Sequence, residues 1–212
     1  LGNSDRSLHF YGKIISAAPQ SAAAKDAIPS VREIHVSKGD INAYFAYAER
    51  TGAVVDTSLM ARDSLSFRAA QNIYLANRVN DAIPHLKNYL KDYPKGYYTN
   101  DALYYLSDCY LKSDSLDSAI ASLKLLSEQP TNQYTTPVVE KLANLTFEHK
   151  MYDESAVAYR RLYTVVDNAA ARTDAANGYA ESVLLSKDDE ALLVMAGDLD
   201  SLADVDATML RR

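Results

Sequence analysis

The feature that most restricts the fold is a spacing. Small residues stand at Ala82, Ala119, Ser155 and Ala191, at steps of 37, 36 and 36 residues. Each sits early in an amphipathic stretch: RVNDAIPHLKNYLKDYP (78–94), SLDSAIASLKLLSEQP (115–130), MYDESAVAYRRLYTVV (151–166) and SKDDEALLVMAGDL (186–199). Self-similarity at such a period marks a repeat architecture, in which each unit buries its apolar face against its neighbours. About twelve residues before the first three lie further small residues, Ala70, Ser107 and Ala143; in the fourth copy Gly178 and Ala180 flank Tyr179.

The pattern predicts a helix A, a short turn and an antiparallel helix B in each unit. Small side chains at the crossing let the two backbones approach to about 8–10 Å. Leu86, Leu103, Leu106, Tyr110, Leu123 and Tyr159 are expected to fill the space beside the crossings. Pro94 and Pro130 would end their helices, and the A/B turns carry the polar pairs Arg78/Asn80, Ser113/Asp117, Lys150/Asp153 and Lys187/Asp189. With helix B starting near Asn80 or Asp81, Pro84 falls in its first turn, where a missing N–H is tolerated. Seven Gly and six Pro among 212 residues, half the usual share of roughly 12%, agree with a mostly helical chain.

This pattern resembles a tetratricopeptide repeat array. Its small-residue positions match Ala70 and Ala82, Ser107 and Ala119, Ala143 and Ser155, and its late proline matches Pro94 and, shifted by one, Pro130. HLKNYLKDYPKGYYTNDALYYLSDCYL (85–111) resembles repeats of Tol-Pal-associated and outer-membrane-assembly lipoproteins of the bacterial envelope, and residues 10–28 have the same shape. The departures are the lack of Trp, units longer than 34 residues, and Tyr44 where Ala is expected. The implied fold is all-α, a right-handed α-solenoid of about five helix-turn-helix units, and a single array is expected over 1–212. Its units would be a half-unit 1–19, a degenerate unit 20–56, then 57–95, 96–130, 131–168 and 169–203, with a further helix opening at 204–212. A start at Leu1, mid-unit, and an end mid-helix lead to the expectation of a segment from a longer array.

Chemistry is sparse. The net charge of −6 and scattered basic residues argue against a nucleic-acid partner, because phosphate binding needs a clustered positive face. The longest apolar stretch, 191–197, is far short of the ~20 residues that cross a bilayer, so no membrane insertion by this segment is expected, and none of its residues is expected to act as a secretory leader. His9, His35, His85 and His149 are 26 or more residues apart and read as surface or boundary residues rather than ligands. Cys109, the one cysteine, excludes an internal disulfide and is expected to be a buried, inert thiol. Nucleotide and nucleophile-elbow motifs are missing, and the acidic run 197–206 lacks the Gly and Glu of a calcium loop. No enzyme, cofactor or metal is expected.

The sixteen tyrosines carry the remaining signal. The resemblance implies a concave surface lined by helix A residues, here Phe67, Gln71 and Tyr74; Tyr104, Asp108, Leu111 and Lys112; Glu140, Asn144, Phe147 and Glu148. Such a groove has an aromatic spine and no cationic clamp for a terminal carboxylate. The expected partner is a protein or peptide, with oligomeric state open. An architectural or self-assembly spacer remains an alternative. So does a carbohydrate or small-ligand site, with Tyr104 beside Asp108 or Phe147 beside Asn144. The resemblance implies a periplasmic or envelope setting; the single cysteine is equally compatible with cytoplasm.

Overall fold

A computed structural model describes residues 2–187 together with Leu192 and Val194. Ala191, the acidic run and the helix expected at 204–212 therefore lie outside the described residues. The described chain is all-helical. Its ten helices are α1 (Gly2–Ala17), α2 (Ala22–Lys38), α3 (Ile41–Thr51), α4 (Leu59–Leu75), α5 (Val79–Asp92), α6 (Thr99–Lys112), α7 (Leu116–Ser127), α8 (Thr135–Glu148), α9 (Tyr152–Val165) and α10 (Ala169–Ser186). They form two compact units, residues 1–115 with α1–α6 and residues 116–212 with α7–α10. Within each unit, helices consecutive in sequence pack on one another.

The repeat is written in the backbone as well as the side chains. Besides Gly52, which closes α3, left-handed residues occur at Gly39, Asn77, Asp114, Lys150 and Lys187, at steps of 38, 37, 36 and 37. In the first four turns the following N–H reaches back five residues: Asp40 to His35, Arg78 to Ile73, Ser115 to Tyr110, and Met151 to Thr146, at 2.9–3.2 Å. The left-handed residue's own N–H reaches back three, at 2.8–3.3 Å. This doubly bonded turn satisfies the last carbonyls of helix A and reverses the chain within three residues. Side-chain N-caps start other helices: Ser21, Asp40, Ser58 and Asn168 accept from Ala24, Ala43, Ala61 and Ala171 N–H groups.

The small residues lie where close packing requires them. Ala70, Ala82, Ser107, Ala119, Ala143 and Ser155 are all buried. The Ser155 hydroxyl contacts the Ala143 carbonyl at 3.2 Å and the Ser182 hydroxyl at 3.0 Å, tying α9 to both α8 and α10. Leu86, Leu103, Leu106 and Leu123 are buried, while Tyr110 and Tyr159 are half-buried. Tyr44, the fourth residue of α3 as Ala82 is of α5, is also buried. Its ring and that of Tyr47 flank His35 at 6.2 and 5.8 Å, so rings take the place of small residues in this hairpin.

Two expectations need correction. Helix α5 begins at Val79, so Pro84 lies in its second turn and leaves the Asn80 carbonyl without its helical donor. Both residues are exposed, so water can replace that bond. His35 is not a surface or boundary residue: it is 6% exposed, and neither ring nitrogen has a hydrogen-bond partner. Burial, ahead of the charges of Asp40, Lys38 and Arg50, holds its pKa below the ordinary histidine value.

A second buried polar group organises the α4–α5–α6 region. The Asp63 carboxylate accepts from the Tyr89 hydroxyl at 2.5 Å and from the Tyr97 N–H at 2.8 Å. The Tyr89 oxygen in turn accepts from the Tyr98 N–H at 3.1 Å. Gly96 leaves room for this cluster, since a Cβ there would stand 2.6 Å from the Tyr89 oxygen. One carboxylate on α4 thus pins the end of α5 and the loop entering α6.

Candidate functional site

In the first unit, helical spacing puts Phe67, Gln71 and Tyr74 on one face of α4. Tyr98, Tyr105, Asp108 and Lys112 face them from α6 and its N-terminal cap. The rings form a ladder. Tyr98 lies flat on Phe67, with centroids 4.5 Å apart and planes 1° apart; Phe67 and Tyr105 follow at 6.0 Å, and Tyr105 and Tyr74 at 4.4 Å. Each such pair adds about 0.5–1.5 kcal/mol beyond its buried area. The Gln71 amide donates to the Tyr105 oxygen at 3.1 Å.

The ladder ends in a charged group. The Tyr74 hydroxyl donates to Asp108 Oδ2 at 2.9 Å, and Lys112 Nζ lies 2.7 Å from the same oxygen and 5.2 Å from the Tyr74 ring centre. Burial, reinforced by this hydrogen bond and the Asp108 charge, raises the Tyr74 phenol well above its usual range. Asp108 likewise raises the Lys112 ammonium. At 46% and 24% side-chain exposure the Lys112–Asp108 pair contributes at most ~1 kcal/mol, so it orders side chains more than it stabilises the fold.

The predicted lining residues are placed unevenly. Phe67 is 4% exposed and belongs to the core beneath the ladder, not to an accessible lining. Gln71, Tyr74, Tyr104, Asp108 and Leu111 are half-buried, and Lys112 is exposed. Tyr104 meets Tyr105 edge-on at 6.1 Å. The ring that joins the ladder in α6 is Tyr105, which sequence reasoning did not select; the signal available was its seven-residue step from Tyr98.

In the second unit, Glu140, Asn144, Phe147 and Glu148 share a face of α8; Phe147 is half-buried and the other three are exposed. Phe147 stands edge-on to Tyr152 at 5.8 Å and to Tyr159 at 6.3 Å. The Tyr159 hydroxyl donates to Asn144 Oδ1 at 2.7 Å. Its ring crosses α10 at Gly178, where a Cβ would come within 2.6 Å of it. A cleft of about 420 Å³ opens beside this ring between α8, the end of α9 and the start of α10, with Glu140 and Asn144 in its wall. Burial raises the Tyr159 phenol first, followed by the charges of Glu181, Glu148 and Glu140.

Burial raises the Cys109 thiol to about 11, which leaves it protonated at neutral pH. Among the described residues no group of three or more His, Cys, Asp or Glu could hold a metal ion. No described helix is long and apolar enough to cross a membrane.

Among solved structures, the chain is similar to BtubC (BKLC) from P. vanneervenii. The identity is 11% and the TM-score 0.46, over 95% of this chain and 88% of that one. It is also similar to a putative kinesin light chain from Podosopora anserina with nearly identical TPR-like repeats, at 10% identity and a TM-score of 0.47, over 82% and 94% of the two chains. No protein-family model and no curated protein matches.

Proposed function

We propose that the chain is a non-enzymatic scaffold whose helix A faces receive a protein or peptide segment. The observation that carries this reading is the ladder of Tyr74, Tyr105 and Phe67 with its ordered polar end, Asp108 and Lys112. Tyrosines held by neighbours lose little rotamer freedom on contact, and well-packed aromatic anchors dominate the energy of protein recognition. Gln71, Tyr104, Leu111, Lys112 and the rim of Tyr74 supply the contact surface in the first unit. Glu140, Asn144, Phe147 and Glu148 supply it in the second. The proposed setting is the bacterial envelope, on the resemblance of residues 85–111 to lipoprotein repeats; fractionation of source cells tests it.

One observation favours a second reading. The ladder rings contact one another, which suits an architectural segment whose face binds nothing separate. A crosslinked pull-down from extracts of the source organism separates the two, with a Tyr74→Ala/Tyr104→Ala/Phe147→Ala variant alongside, checked for helicity by circular dichroism. A partner captured by the parent and lost by the folded variant is the expected result. An unchanged or empty partner set, or capture of the chain itself alone, would replace recognition with the architectural reading.

A further inference from the structure

The cleft of the second unit has a sign as well as a shape. Its floor is apolar, with Leu162, Val166 and the ring of Tyr159, and its rim carries Glu140 from α8, Asp167 from the α9–α10 loop and Asp174 from α10. None of these three carboxylates has an ion-pair partner among the described residues. Arg172, the nearby cation at the start of α10, turns its Nε to the Val166 carbonyl at 3.3 Å. The carboxylates of Glu140, Glu148 and Glu181 all act on the Tyr159 phenol, so the field around that ring is negative. Residues 116–187 carry nine acidic and seven basic residues, a small negative excess.

Unpaired carboxylates around an apolar floor and an aromatic ring make a site for an extended peptide carrying Lys or Arg. The aliphatic stem would cover Leu162 and Val166 while the cation reaches the rim, and the face of Tyr159 adds a cation–π partner. We propose that this cleft binds a basic peptide segment of a partner protein, with Glu140 and Asp174 as its charge readers. The inference rests on the peptide-recognition reading and specifies its chemistry. The Asn144 amide oxygen accepts from the Tyr159 hydroxyl and holds the ring beside the cleft.

The test is amide chemical-shift mapping of the full chain with three capped Ser/Leu nonapeptides that carry Lys, Glu or Gln at every third position. Shifts at Asn144, Tyr159 and Asp174 are expected with the Lys peptide alone. They should weaken as salt is raised, because rim charges are screened over about 10 Å at 0.1 M. A Glu140→Gln/Asp174→Asn variant, in which both changes lie at exposed positions, is expected to bind the Lys peptide about tenfold less tightly. Lys-peptide binding undiminished in that variant would assign it to the chain's other acidic residues and overturn the proposal. Equal shifts with the Gln peptide would overturn the cationic specificity while leaving peptide recognition standing. No shifts at this cleft with any of the three would remove both from the second unit. Displacement of the Lys peptide by spermine at equal charge concentration would make the occupant a small polycation and also overturn the proposal.

Discussion

Tyr89→Phe isolates a single atom at the centre of the first unit. The substitution keeps the buried ring, which is tilted against Phe67 at 5.5 Å and stacks with Tyr93 at 5.4 Å, and deletes only the hydroxyl. That hydroxyl donates to Asp63 and accepts from the Tyr98 N–H. A hydrogen bond to a charged group contributes about 1.5–3 kcal/mol, and an orphaned buried N–H costs about 1–3 kcal/mol. The two overlap, since the loop can relax, so a total of about 2–4 kcal/mol is expected. Urea unfolding followed by far-UV circular dichroism measures the loss. Hydrogen exchange locates it: the Tyr98 amide should lose protection by about thirtyfold for each ~2 kcal/mol, while the Tyr97 amide, still facing Asp63 Oδ2, should lose less.

Asp63→Asn is the companion change. An amide offers one acceptor oxygen where the carboxylate offers two, so either Tyr97 or Tyr89 loses its partner. The double variant should cost less than the sum of the single ones, because both remove the same contact. If Tyr89→Phe costs under about 0.5 kcal/mol, or Tyr98 stays protected, the network does not hold the α5–α6 loop and the reasoning fails.

Three further outcomes are expected. His35 has a folded-state pKa below its unfolded value of about 6.5, so its neutral form is the one the fold accepts. Stability is therefore fully present above pH 6.5 and is lost as pH falls below it, by up to about 1.4 kcal/mol per pH unit until the folded pKa is reached. His35→Leu should remove that slope from unfolding curves taken between pH 7 and 5, and an identical slope in the variant would contradict the assignment. Cys109, with its thiol raised to about 11 and buried, should react with a disulfide reagent at pH 8 only on unfolding; native labelling within seconds would refute its burial. Gly178→Ala trades a helix-propensity gain of up to ~1 kcal/mol for a Cβ 2.6 Å from the Tyr159 ring. A net loss of about 1–2 kcal/mol is expected in thermal unfolding, and a stabilised variant would show that the ring moves freely.

What could be read from the sequence follows from which contacts are unforgiving. A close helix crossing favours small side chains, so Ala82, Ala119 and Ser155 mark their hairpins in the sequence, whereas the α2–α3 hairpin, packed by Tyr44, carries no such mark. The turns were less legible for a physical reason. Asn77 and Asp114 are residue types that tolerate the left-handed region, but Lys150 and Lys187 are not marked by type, and at Lys150 only the hydrogen bonds around it show the shared motif. The start of α5 was missed by one or two residues because its cap, Arg78, makes no side-chain capping bond. His35 was misjudged because its burial comes from Tyr44 and Tyr47 on another helix.

The groove shows where helical periodicity stops being informative. Tyr104 and Tyr105 are about 100° apart around α6, and either could border a face shared with α4. The ladder takes Tyr105 because Gln71 offers it a donor and Tyr74 a flat surface, and both of those sit on the other helix. Phe67 sinks into the core for the matching reason: Tyr98, which covers it, comes from the loop that Asp63 and Tyr89 pin in place. The buried Asp63 network and the half-buried ladder are thus one mechanical system. Loosening the loop by Tyr89→Phe should free Tyr98, uncover Phe67, and widen the ladder's tyrosine resonances before any helix melts. That order of events, read by NMR across a shallow urea series, would link the packing of the first unit to its proposed contact surface; simultaneous loss of ladder and helices would show that the loop does not control the ladder apart from the fold as a whole.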